Sequence, residues 1–223
     1  MSRPFEIGKS ITESIAFVSA IAAECEHLAK LMKEEISTLL LSPEIAVRYR
    51  AYGDWQDVYD SDESGWLYTD LGISLPITIK PKRSVCGYLI LQISLTGSGM
   101  GASENQEPLL HLGWWTSALD FGDFKMVFPQ HLDPEYPHTL EAERLFRWSG
   151  LASPSSSEWC YSVRLTDINR PNDVKRNLIN PLRALLLGQR ADLALSGTSV
   201  VKYAPVEEVP GQYRVLSRLD VFG

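Results

Sequence analysis

The 223 residues carry only three cysteines, Cys25, Cys86 and Cys160, and no two of them form a C-x-x-C pair. That spacing excludes a zinc ribbon and a thioredoxin-type redox centre, and leaves reduced, buried thiols as the expected state. No apolar run approaches the roughly 20 residues that a membrane-spanning helix needs. The first residues, Met1-Ser2-Arg3-Pro4-Phe5-Glu6, hold no apolar stretch and no small-residue cleavage site, so a cytoplasmic setting is expected. Basic residues are in deficit: 21 Lys and Arg stand against 28 Asp and Glu, for a formal net charge of −7. A surface of that sign repels phosphate backbones, which argues against a nucleic-acid ligand unless cations cluster locally. Lys80-Pro81-Lys82-Arg83 and the group Arg164, Arg170, Lys175, Arg176 are the two concentrations, and neither is dense enough to carry a nucleic-acid reading.

Catalytic signatures are also missing. Gly97-Ser98-Gly99-Met100-Gly101 follows a strand but lacks both a Walker lysine and a complete G-x-G-x-x-G. A phosphate loop needs free amides at a helix N-terminus, and Ala102 to Pro108 does not read as a helix. No serine sits in a nucleophile elbow. Asp54, Asp57, Asp60, Asp62 and Glu63 offer oxygens for calcium, but their order is not that of an EF-hand loop. A solvated acidic face that docks a basic partner is the simpler reading.

What is present is led by a helix, expected from about Ser10 to Leu41. Ser10-Ile11-Thr12-Glu13 matches a capping box, and Ser42-Pro43 supplies the stop. Ile11, Ile15, Val18, Ala22, Cys25, Ala29, Met32, Ile36 and Leu39 are spaced alternately by four and three, a heptad seam over about four repeats of a helix about 45 Å long. Phe17, Ile21, Leu28, Leu31 and Leu40 form a second flank. Ala22, Cys25 and Ala29 are small, so a partner backbone can approach closely there.

After an acidic stretch read as a surface loop (54–64), the period shifts to two. Ile73–Ile79 and Val85–Leu95 read as a hairpin around Pro81, and Leu109–Thr116, Phe124–Phe128 and Trp159–Ile168 as further strands. Thr139–Arg147 reads as a short helix. Pro171-Asn172-Asp173 opens a second helix, with a kink or break expected near Asn180 because of Pro181 and a stop at Gly188. Ala194–Val221 reads as two strands. Strands that run together, with helices before and after, predict an α+β fold: a long N-terminal amphipathic helix (1–43) and a helix in the C-terminal half packed on a mainly antiparallel sheet in a body of residues 44–223.

Two local features point to sites. Trp114 and Trp115 are adjacent on a strand, so they face opposite sides of the sheet, and one of them is expected to need cover from a helix, a ligand or a partner. His131, Asp133 and His138 bring imidazole and carboxylate together, ligands suited to zinc or manganese, with Asp120 or Asp123 as possible additions. The preferred expectation is a non-enzymatic, cofactor-free protein that binds another protein or itself through the seam at Ala22, Cys25 and Ala29 and through the aromatic sheet face. The alternatives are a metal-dependent hydrolase built on His131, Asp133 and His138, and a small-ligand pocket at Trp114 or Trp115.

Overall fold

A computed structural model describes residues 4–95, 107–122, 125–126, 130–131, 138–149, 158–209 and 211–217, with backbone alone at 4, 5, 130 and 131. Helix α1 spans Pro4–Leu41 and so starts six residues before the expected capping box. Proline suits the first helical position, where its missing N–H has no partner to lose. The hydroxyls around Ser10 therefore do not cap. Thr12 Oγ1 donates to the Gly8 carbonyl at 3.2 Å and Ser14 Oγ to the Ser10 carbonyl at 2.9 Å, each one turn back within the helix. The C-terminal stop stands as read: Ser42 turns its hydroxyl onto the Leu39 carbonyl, and the short α2 (Pro43–Ala46) follows.

The main sheet is antiparallel throughout. Its order is β1 (Tyr49–Ala51), β3 (Tyr68–Ile79), β4 (Gly87–Ser94), β5 (Leu109–Trp115), β9 (Glu158–Arg164), β8 (Leu145–Trp148), β7 (His138–Glu141). The 12-residue β3 is long enough to hold two partners on one edge: β1 lies along Ile77–Ile79, and β2 (Gln56–Ser61) along Tyr68–Ser74. The acidic stretch expected as a loop is therefore an edge strand in its middle. Asp57 and Asp60 place charge on that edge, which discourages pairing with a further strand.

A second correction concerns Thr139–Arg147, which is not helical. It is the β7–β8 hairpin, turned at Ala142 and Glu143 with φ of 50° and 56°. Arg144 N closes the turn on the Glu141 carbonyl at 3.0 Å. Pairing of Phe146 with Cys160 on β9 decides against the local helical propensity. The strand expected at Phe124–Phe128 falls mostly outside the described residues; Lys125 and Met126 belong to no strand.

Successive side chains along each strand enter different cores. Ile73, Leu75, Leu89, Leu91, Leu112, Trp114 and Tyr161 face the helices; Ile90, Leu109, Trp115, Phe146 and Cys160 face Leu119, Met126, Val201 and Tyr203. The last of these belongs to a small second sheet, β10 (Tyr203–Pro205), β11 (Gln212–Val215) and β6 (Gln130–His131). Both faces are thus covered, which is why these strands read as nearly unbroken apolar runs.

On the helix face, α3 (Pro171–Val174) passes through a π turn (Lys175–Ile179) into α4 (Asn180–Leu186). Pro181 has no N–H to give, and the helix widens ahead of it rather than breaking. Gly188, at φ +80°, ends it in a Schellman motif: Gly188 N donates to Leu185 O and Gln189 N to Ala184 O. Tyr49 and Tyr161 reach up from the sheet and donate to the Leu186 and Leu178 carbonyls, fixing this helix on the sheet. Among the described residues no helix is long and apolar enough to cross a membrane.

Candidate functional site

The seam of α1 has two fates. From Cys25 through Ala29, Met32, Ile36 and Leu39 it is buried against the sheet and the α3–α4 helix. Ala22 is half-buried, and every residue from Glu6 to Ala20 is exposed. Val18, Ile15 and Ile11 therefore continue the stripe into solvent, with Ile7 on its flank and Phe17 further round the helix, at 39–66% exposure. At 1.5 Å per residue the whole helix is about 57 Å long, and its exposed N-terminal part, Glu6 to Ala20, forms an arm. The arm carries little charge on its described side chains. Glu6, Lys9 and Glu13 lie away from the stripe, and Lys9 and Glu13 form a loose 3.6 Å pair. The residues flanking the stripe, Thr12, Ser14 and Ser19, are uncharged.

At the root of the arm is a groove of about 530 Å³. One wall is the second flank of α1, namely Phe17, Ile21, Leu28 and Leu31; the other is Leu165, Ile168 and Pro171, where β9 crosses to α3. Glu24, His27, Asn169 and Arg170 supply its polar atoms. Cys25 also lines it, but burial and the charge of Glu24 push its thiol pKa up, so it stays protonated and acts as a small apolar side chain. An open, mostly apolar trough beside an apolar stripe is suited to receiving another apolar surface. It presents no converging acid, base and nucleophile.

The other expected site residues fall elsewhere. Trp114 packs edge-on against Tyr49 (centroids 6.0 Å apart) under the helices, and Trp115 against Trp148 (5.2 Å) on the opposite face. Each is 7% exposed, so the chain itself covers both indoles. His138 stands on β7, with Nε2 3.3 Å from Tyr213 Oη. The backbone of His131 pairs with Gln212 on β11, the residue before Tyr213. Asp133 and Asp123 lie outside the described residues, and Asp120 accepts from Gly122 N in its own turn. Among the described residues no three His, Cys, Asp or Glu side chains are grouped to hold a metal ion. Gly97–Gly101 also lies outside them. The acidic edge is partly neutralised: Lys33 bridges to Asp57 and Lys125 to Asp60, each at 2.6 Å. Of the basic group, Arg164 is buried beside Glu107, Lys175 pairs with Glu35 and Arg176 with Asp173.

One constellation was not singled out from the sequence. Gln92, His111 and Ser162 lie side by side across β4, β5 and β9, and all are fully buried. Tyr203 Oη donates to Ser162 Oγ, and Ser162 Oγ lies 2.6 Å from His111 Nδ1. Asp70, one row over, accepts from Gln92 and Ser94, and Lys125 closes the group. Gln92 also bonds both the N–H and the C=O of Met126, holding that segment on the sheet. Burial depresses the His111 pKa to about 4 despite the opposing pull of Asp70, so the imidazole is neutral. A serine beside a neutral histidine invites a catalytic reading, but both are 0% exposed and no substrate reaches them in this state. The network does structural work: it satisfies polar atoms inside the second core. The sequence does not mark it out: Gln92, His111 and Ser162 each interrupt an apolar stretch, but so do Ser94, Glu158 and Arg164 on the same strands.

No protein-family model matches the chain, and neither a curated protein nor a solved structure shows significant similarity to it, so the functional reading rests on the geometry above.

Proposed function

We propose that this chain is a protein-binding accessory protein that docks through the exposed N-terminal arm of α1. The observation that supports the reading is one apolar seam that leaves the core at Ala22 and runs on, exposed, through Val18, Ile15 and Ile11, with Ile7 on its flank. Isolated exposed apolar residues need no explanation, but a contiguous stripe at heptad spacing marks a contact surface. A helix segment of this length with no buried residue is also marginal in water, and docking would stabilise it.

The test pairs the wild-type chain with an Ile11→Glu, Ile15→Glu variant, both tagged and expressed in the source cells. A partner recovered with the wild type and lost from the variant is reconstituted from purified components, and hydrogen exchange is followed over residues 6–20. Protection of those amides in the complex is the expected result. Identical association by both chains, or arm amides that exchange equally fast with and without the partner, would sink the reading.

A further inference from the structure

We propose that the occupant of the arm is a second copy of this chain, paired antiparallel over residues 4–22; this rests on the docking role just proposed and names its partner. In heptad terms Ile11 and Val18 sit at d, and Gly8, Ile15 and Ala22 at a. Antiparallel helices set a against d. The register confined to the exposed arm places Ile11 opposite the second copy's Ile15, twice by symmetry, and Gly8 opposite the second copy's Val18. Large then meets small where the stripe is uneven. A parallel pair would instead stack Gly8 on Gly8 and Ala22 on Ala22 and leave gaps. The next antiparallel register sets Gly8 opposite Cys25, which the chain's own body already buries.

The flanks agree with this register. Ser14 meets Ser14, Thr12 meets Thr12, and Ile7 lies beside Ile21 at the mouth of the groove. None of these positions is charged, so nothing repels a second copy and nothing selects a charged foreign helix. The bodies do carry charge, −7 for each chain. An antiparallel pair holds them at opposite ends of the arm, on the order of 25 Å apart and beyond the Debye length of about 8 Å. The size suits a weak, reversible dimer. At roughly 100 Å² for each half-exposed large side chain, Ile7, Ile11, Ile15 and Val18 give on the order of 800 Å² per pair, in the range of transient interfaces.

Sedimentation velocity across a wide concentration range tests self-association. The wild type is expected to pass from monomer to dimer, and the Ile11→Glu, Ile15→Glu variant to stay monomeric with an unchanged melting temperature. In a Cys86→Ser background, a short bismaleimide is expected to link Ser14→Cys chains and not Gly8→Cys chains. A β-carbon at Gly8 meets no atom within 4 Å, so that variant folds. A wild type that is monomeric throughout, or a dimer that survives the double glutamate change, overturns the second-copy inference. Linking through Gly8→Cys overturns the antiparallel register. If the chain is monomeric yet a different protein is recovered in an arm-dependent way, the inference fails and the docking role survives; if neither is seen, both fail.

Discussion

His111 is a residue whose stability contribution depends on pH. Its folded-state pKa, about 4, lies below the ordinary 6.5, so between these values the unfolded chain binds the proton and the folded chain does not. Its contribution is fully present above 6.5 and is lost as pH falls toward 4, by about 3 kcal/mol. Urea unfolding at a series of pH values is expected to show a fall that is smaller by this amount in a His111→Gln variant. Equal slopes in the two proteins would show that the imidazole is not held neutral. Gly113 makes a second case. A β-carbon there would lie 2.3 Å from the Trp159 carbonyl and 3.2 Å from Cys160 Cα, backbone atoms that cannot swing aside. Gly113→Ala is therefore expected to cost about 2 kcal/mol or more, read as a lowered urea midpoint. Neither His111 nor Gly113 announces this role in the sequence, because the pairing of β5 with β9 creates both environments.

Within α1, one seam should give two mutational signatures. Met32, fully buried, is expected to lose about 2–5 kcal/mol on truncation to alanine. Ile15→Ala, in the exposed arm, should stay within about 0.5 kcal/mol. Equal losses would mean that the arm packs on the body. The heptad spacing and the Ser42-Pro43 stop make this helix legible in the sequence, as do Pro171 and Gly188 for the second one. The start was misread because Ser10 and Glu13 resemble a cap wherever they stand, while Pro4 begins a helix equally well. Thr139–Arg147 was misread for a different reason. Nine residues cannot separate the two periods, and Phe146 earns its place on a strand only through Cys160, fourteen positions away.

At the scale of the molecule, an assembly built on an uncharged stripe should respond weakly to ions. The dissociation constant of the proposed dimer is expected to change by less than about threefold between about 0.15 M and 1 M salt, where the Debye length, about 8 to 3 Å, stays well below the separation of the bodies. A tenfold weakening at high salt would point instead to the acidic edge at Asp57 and Asp60. Deletion of the arm up to Ala20 is expected to leave a folded monomer with the melting temperature of the full chain, since no residue from Glu6 to Ala20 is buried. The sequence by itself determined the α+β class, the β3–β4 hairpin and the existence of one continuous apolar seam, because periodicity and turn residues are local properties. Only the tertiary structure decided where along that seam the core ends. Burial depends on how far the sheet extends beneath the helix, and that width is set by pairings between strands remote in the chain. The same dependence hid the polar row at Gln92, His111 and Ser162, whose three members meet only when β4, β5 and β9 lie side by side.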